Sequence, residues 1–443
     1  MAKRRKKKIQ DFDRGYDILR YFVDFFVKKS YRDILYINKE NIPSDGAIMF
    51  APNHTNTLMD ALVILSIDHT PKVFVARADI FKNPILARIF SFLKIMPIMR
   101  HRDGFSAVKK NYEIIKKSVD VLMDKIPFCI FPEGTHQAKY SLLPLSKGIL
   151  RIALQTHEHM PNFPLYIVPV GITYGDFFRY RSTLRMQFGK PINVGELIKE
   201  NSQLIAQEQM NIMRETLAEE LKSTTLFIPN DNNYDATLEI CNIVESNEVG
   251  KLLKDEANVG LPALELQFRA KKNTLKRIEA LKEDNSEEAA QLFMLAEEAH
   301  RLRVAKNIDL ESVAARKSVS QRLARLAVSL LTLPYGIAAS VCALPYILAC
   351  QCLLRLFKDA AFWNSARFLL HLLLWPLLLI IYITCLFVNL PWHWALCASL
   401  LVAPSPIVTH ELWYTFRLTL SDVKLHSNSR IQGLYSQIRK ILK

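Results

Sequence analysis

Apolar side chains fall into three regimes along this chain. Between Tyr31 and about Pro191, short apolar runs alternate with stretches whose apolar positions recur at helical spacing. Ile34–Ile37, Ile48–Ala51, Val73–Ala76, Met96–Met99, Phe128–Phe131, Ile167–Val170 and Leu184–Phe188 are expected as strands, with helices at Pro84–Leu93, Ser106–Met123 and Ser146–Thr156. Such alternation implies an α/β domain with a mostly parallel central sheet flanked by helices. In that architecture the loops at strand ends carry the chemistry. Met210–Leu221 closes this part as an amphipathic helix with Met213, Leu217 and Leu221 on one face. Ahead of it, Ile18, Leu19, Phe22, Val23, Phe25 and Phe26 recur at helical spacing between Asp17, Arg20, Asp24 and Lys28.

The second regime, residues 226–320, is charged and helical. Asn230-Asp231-Asn232-Asn233 makes a turn, and Lys271–Leu281 with Ser286–Val304 reads as a helical hairpin burying Leu292, Leu295, Ala296 and Ala299. It carries no catalytic motif and reads as a solvated helical insertion, with a partner-binding coiled coil as the alternative. The third regime is apolar: Leu326–Leu354 and Phe368–His410 carry no charged side chain. The second run is far longer than the ~20 residues one membrane span needs. Asn389-Leu390-Pro391, beside Trp392 and Trp394, makes a turn at an interface, so two spans are expected there. Leu326–Leu354 suits one long tilted span or, broken near Pro334 and Pro345, a re-entrant hairpin.

These regimes divide the chain into a basic N-terminus and surface helix (1–30), a catalytic domain (31–225), a charged helical region (226–320), a transmembrane region (321–415) and a basic tail (416–443). Arg355, Lys358 and Arg367 between the runs, and Arg417, Lys424, Arg430, Arg439, Lys440 and Lys443 after them, belong on the cytoplasmic side with the N-terminus. Each run must then enter and return on one face. The expectation is a multi-pass membrane protein with its catalytic domain facing the cytoplasm. Because the motifs and the apolar runs do not overlap, the α/β domain is expected to fold without the C-terminal quarter.

Charge sharpens this picture. A formal net charge of +15 calls for an acidic partner. The apolar runs favour an anionic membrane surface or phosphorylated substrate over nucleic acid. The basic stretch Lys3–Lys8 beside the Ile18–Phe26 helix suits an interfacial anchor; packing on the catalytic domain is the compatible alternative. Five of the seven cysteines lie in the apolar region and none has zinc-site spacing. No disulfide framework is expected, which suits a reducing compartment.

The candidate chemistry begins at Asn53-His54-Thr55-Asn56-Thr57-Leu58-Met59-Asp60, just after an expected strand. A histidine followed by a carboxylate can form a base and the group that fixes its tautomer. Phe131-Pro132-Glu133-Gly134-Thr135 follows further on, with Lys94–Arg100 and Val168–Tyr174 around it. In order, these blocks resemble the four motifs of the glycerolipid acyltransferase family, which includes glycerol-3-phosphate and lysophosphatidate acyltransferases. The resemblance covers roughly residues 30–225. The His54-to-Asp60 spacing is one residue longer than the family's commonest form. The longer form resembles the subset acting on glycerol 3-phosphate or dihydroxyacetone phosphate.

The resemblance implies transfer of a fatty acyl group from acyl-CoA or acyl-ACP to a hydroxyl, in phospholipid biosynthesis. His54 would be the base and Asp60 its partner. Arg100, Glu133, Gly134 and Thr135, with Lys147 more weakly, would bind a phosphorylated glycerol-type acceptor. The arginine fork suits phosphate, while Glu133 would accept from a glycerol hydroxyl or hold the arginine. No metal ion or cofactor is expected beyond the thioester co-substrate. The partners implied are the thioester donor, acyl carrier protein as one carrier of it, the acceptor and membrane lipid. Lysophosphatidate is the alternative acceptor. A non-catalytic lipid-binding scaffold is the alternative of another class, disfavoured by intact His54, Asp60, Arg100 and Glu133.

Overall fold

The computed structural model describes residues 8–98, 105–315 and 317–443, and within 105–112 the backbone only. The chain divides into two compact units, residues 1–227 with 359–368, and residues 228–358 with 369–443.

The first unit opens with α1 (Arg14–Ser30), capped by Asp13, whose carboxylate accepts from the Tyr16 amide. One face of α1 is buried through Tyr16, Arg20, Val23, Phe26 and Val27, while Ile18, Tyr21, Phe22 and Phe25 stay exposed. Arg20 ties it down by donating to the carbonyls of Leu65 and Asp68 and to Asp24. The helix therefore packs on the domain and presents an apolar face outward. Next come β1 (Tyr31–Ile37), β2 (Ala47–Pro52), α2 (Leu58–Leu65), β3 (Val73–Arg77), α3 (Pro84–Phe92), β4 (Ile95–Ile98), α4 (Phe105–Met123) and β5 (Phe128–Cys129). They are followed by α5 (Gly148–His159), β6 (Leu165–Tyr174), β7 (Ser182–Phe188), β8 (Ile192–Asn193), α6 (Val194–Glu200) and α7 (Ala206–Thr224).

The strands form one sheet in the order β1-β7-β6-β2-β5-β3-β4, with β8 also on β6. Only the pairings of β6 with β7 and β8 are antiparallel, so the sheet is mostly parallel as the alternation implies. β2 and β6 run side by side at its centre, and their apolar residues pack with α5 and α7. The C-terminal ends of β2, β3, β4 and β5 lie at one edge of the sheet. That edge is where His54 and the Glu133 loop emerge.

The second unit contains α8 (Tyr234–Leu252), α9 (Ala263–Asp284), α10 (Ser286–Ala305), α11 (Leu310–Ala315), α12 (Val319–Leu354), α13 (Trp363–Asn389, from Leu369 onward), α14 (Trp392–Val402), α15 (Ser405–Ser427) and α16 (Ser429–Ile441). Leu292, Ala296 and Ala299 are fully buried in the α9–α10 hairpin as the sequence implies. The closing residues, read above as a basic tail from 416 to 443, form the end of α15 and then α16. Ile431, Leu434, Tyr435 and Ile438 fall on one face and pack with α8 and α10. Glu239, fully buried there, takes both oxygens to Arg303 at 3.0 and 2.8 Å and accepts from the Tyr435 hydroxyl at 3.1 Å.

α12 is one continuous helix with Pro334 and Pro345 in its interior, so the hairpin alternative for Leu326–Leu354 is overturned. α13 ends at Asn389 where the turn is expected. The run after it is divided at Ala403-Pro404, with α14 and α15 bent by 46°. Two helices, Val319–Leu354 and Ala360–Asn389, are long and apolar enough to cross a membrane, or three if the bent pair is one span.

Candidate active site

Asn53 leaves the end of β2 with its side chain clamped across to β6. Its amide donates to the Ile172 carbonyl at 3.0 Å and accepts from the Ile172 N–H at 2.6 Å. This buried two-way bond fixes where the next residue begins. His54 then donates its backbone N–H to Glu133 Oε1 at 2.7 Å, and its ring nitrogen Nδ1 meets Asp60 Oδ2 at 2.8 Å. The ring stacks on Phe131, with centroids 4.2 Å apart.

Asp60 sits in the first turn of α2 and is wholly buried. Oδ2 also accepts from the amides of Thr55 at 2.8 Å and Asn56 at 2.6 Å, and Oδ1 from the Tyr174 hydroxyl at 2.7 Å. Four donors converge on one carboxylate, which is what a buried charge needs. With Oδ2 filled by donors, Nδ1 carries the proton and Nε2 is the acceptor, an assignment made from the hydrogen-bond network. Nε2 has no hydrogen-bond partner among the described residues. The group can take a proton there and hold the resulting imidazolium against the buried carboxylate.

The longer motif is absorbed at Thr57, the residue before α2. Its backbone lies at φ 45° and ψ −121°, a region costly for a β-branched side chain by about 1–3 kcal/mol. The extra residue thus sits in the turn, and Asp60 still reaches the histidine.

Glu133 is buried and structural in its contacts. Besides His54 N–H on Oε1, its Oε2 accepts from Leu143 N–H at 2.8 Å. Burial pushes its carboxyl up from 4.5 to about 7, against the opposing pull of those two amides. Among the described residues, its bonds tie the His54 loop to the 133–143 loop. Gly134 adopts φ 66°, where a side chain would be strained, and lies exposed with Thr135. Lys147, half-buried just before α5, has no hydrogen bond to these residues, although Ser146 N–H donates to the Pro132 carbonyl at 2.7 Å. Arg100 lies outside the described residues. Among the described residues, no cluster of His, Cys, Asp or Glu is placed to hold a metal ion.

His54, Asp60 and Glu133 therefore meet in one place. The sequence reading gave no role to Asn53 or Tyr174, although both stand in its motifs, and did not name His136, whose ring centroid lies 5.6 Å from that of His54. Tyr174 carried a usable signal. A tyrosine on an inner strand must find a hydrogen-bond partner for its hydroxyl, and a buried carboxylate is the strongest available.

A protein-family model described as Acyltransferase matches residues 33–173, the span from β1 to β6 that holds all of these groups. Residues 33–173 thus match an acyltransferase family. The domain is similar to the chloroplastic 1-acyl-sn-glycerol-3-phosphate acyltransferase BAT2 of Brassica napus, 29% identical over 30% of this chain and 36% of that protein. It is also similar to glycerol-3-phosphate O-acyltransferase 2 of Saccharomyces cerevisiae, 29% identical over 33% of this chain and 20% of that protein. The chain thus spans between a fifth and little more than a third of the length of these curated relatives. Among solved structures, the 1-acyl-sn-glycerophosphate acyltransferase PlsC of Thermotoga maritima aligns with 48% of this chain and 81% of its own. The identity there is 20% and the TM-score 0.34.

Proposed function

We propose that this chain is a membrane-bound O-acyltransferase that moves a fatty acyl group from acyl-CoA or acyl-ACP to a hydroxyl of glycerol 3-phosphate or dihydroxyacetone phosphate. The observation that carries this reading is the His54–Asp60 pair at 2.8 Å, with four donors on the carboxylate and Nε2 left to act as base. An alcohol is a weak nucleophile at neutral pH. His54 Nε2 takes the hydroxyl proton as the oxygen attacks the thioester carbonyl, and Asp60 stabilises the imidazolium. The C–O bond forms, the oxyanion collapses, and the C–S bond breaks. The departing thiolate recovers the proton from His54, which restores the base. Arg100 and the Gly134-Thr135 turn bind the acceptor phosphate.

The longer His54-to-Asp60 spacing favours an unacylated acceptor. The Brassica napus relative's name keeps lysophosphatidate as the second reading. The apolar helices hold the enzyme in the bilayer, and the α/β unit works on the cytoplasmic face. The test is thiol release from acyl-CoA by the purified full chain in vesicles, with each of the three acceptors and with His54→Ala. Wild-type turnover by His54→Ala, or no release with any acceptor, would sink the proposal.

A further inference from the structure

Ten residues at the start of the second long apolar helix, including the first turns of α13, belong to the catalytic unit: Asp359–Phe368 folds with residues 1–227. Its contacts fall on Thr57 of the His54 loop, on Phe177 and Phe178, and on His136. The Thr57 hydroxyl donates to the Ala361 carbonyl at 3.0 Å and bonds the Ser365 hydroxyl at 2.8 Å, all of them buried. Asn364 donates to the Phe177 carbonyl at 2.6 Å, and the same carbonyl accepts from Asn56 of the His54 loop at 2.9 Å. At the other end of the segment, Asp359 Oδ2 meets His136 Nε2 at 3.1 Å, and the Phe362 ring lies edge-on to His136, which faces His54.

Thr57 is the residue that needs such support. Its backbone is in a region that glycine occupies freely and threonine does not. It also follows directly on Thr55 and Asn56, whose amides hold Asp60. A turn relaxed at Thr57 would carry those amides away from the carboxylate. The strained turn is therefore kept by bonds from a segment about three hundred positions on.

We propose that Asp359–Phe368 is part of the active site, with Ser365 the positioning residue that holds Thr57 and, through it, the His54–Asp60 pair. This rests on the acyl-transfer reading and adds to it a requirement on a segment remote from every motif. The enzyme cannot be reduced to its motif-bearing span, and a chain ending before Leu326 lacks part of its site.

The experiment uses the full chain in vesicles, with the thioester and the best acceptor. Ser365→Ala should lower kcat about threefold to tenfold, the range of one net hydrogen bond, while moving either KM less than twofold. Ser365→Thr, which keeps the hydroxyl, should recover most of the rate. Thr57→Gly removes the strain, so Ser365→Ala added to Thr57→Gly should cost nothing further. Wild-type kcat in Ser365→Ala, or full additivity of the two substitutions, would overturn the proposal. If Ser365→Ala alone does not fold, Thr57→Gly with and without it decides: equal kcat supports the role, and a further fall removes it. His54→Ala separates the two readings. If it stays active the acyl-transfer mechanism fails; if it is dead while Ser365→Ala is unaffected, only the positioning role fails.

Discussion

Asp60→Asn probes the pair without disturbing its shape, because the surrounding donors dictate how the new amide sits. Three N–H groups, from Thr55, Asn56 and His54, point at the Oδ2 position. The asparagine oxygen must occupy that place and its NH2 must face Tyr174. The His54 tautomer is then preserved, and what is lost is charge. An imidazolium and a carboxylate with centres ~4 Å apart attract by roughly 4 kcal/mol at an effective dielectric near 20. That corresponds to about a thousandfold in rate. The hydrogen bond that remains recovers part of it, so kcat should fall about a hundredfold to a thousandfold. Neither KM should move more than about threefold, since the charge pair forms only as the proton is taken. The assay is thiol release at saturating acceptor. A fall of less than about tenfold would mean that no imidazolium builds up beside Asp60 in the transition state, and the base assignment would have to move.

Other expectations follow from the same geometry. Tyr174→Phe removes one donor from a buried carboxylate and should lower unfolding stability by about 1.5–3 kcal/mol, read as a shift in the denaturation midpoint. Glu133 has a folded-state pKa raised from 4.5 to about 7, so its contribution to stability is complete below pH 4.5 and is lost as pH rises to 7. That loss is about 3 kcal/mol, and Glu133→Gln should flatten the stability profile across this window; identical slopes in both proteins would rule the contribution out. Ile18→Ser with Phe22→Ser should weaken sedimentation with anionic vesicles of a form lacking the apolar helices, while its circular dichroism is unchanged, because both side chains are exposed on α1.

The α/β unit was legible because its strands and helices differ in period, and because the core residues of β2, β5 and β6 are nearly all apolar. His54 and Asp60 were legible as a pair for a chemical reason: few other arrangements put a base beside its orienting acid. The Thr57 turn was not legible. Nothing in a threonine announces a positive φ, which the fold imposes through partners more than three hundred positions away. Residues 359–368 read as a connector because their composition is that of one. In α16 the lysines and arginines masked an apolar stripe at positions 431, 434, 435 and 438. The prolines of α12 misled for a different reason. In apolar surroundings an unwound backbone has no water to satisfy it, so a helix carrying an internal proline is less costly than a broken one.

The continuity of α12 and the docking of residues 359–368 together constrain how the chain meets a membrane. His54 and Ser365 are in one unit, so residues 1–227 and 359–368 lie on the same side of any bilayer. Between Phe227 and Asp359, α12 is the one helix among the described residues that is long and apolar enough to cross. A single crossing by α12 would put Ser365 on the far side from Thr57. On the proposed role of Ser365, both ends of α12 are expected to face the same compartment, which is also what the cations at Arg322, Arg325, Arg355 and Lys358 favour. A helix of 36 residues is ~54 Å long and cannot double back, so if residues 359–368 belong to the active site as proposed, α12 is expected to lie along the membrane rather than to thread it. Single cysteines at Lys317 and Lys358, in a chain otherwise free of reactive thiols, should react with an impermeant maleimide from the same face of sealed vesicles as a cysteine at exposed Lys190. Labelling of Lys317→Cys and Lys358→Cys from opposite faces would make α12 a span and would remove Ser365 from the active site with it.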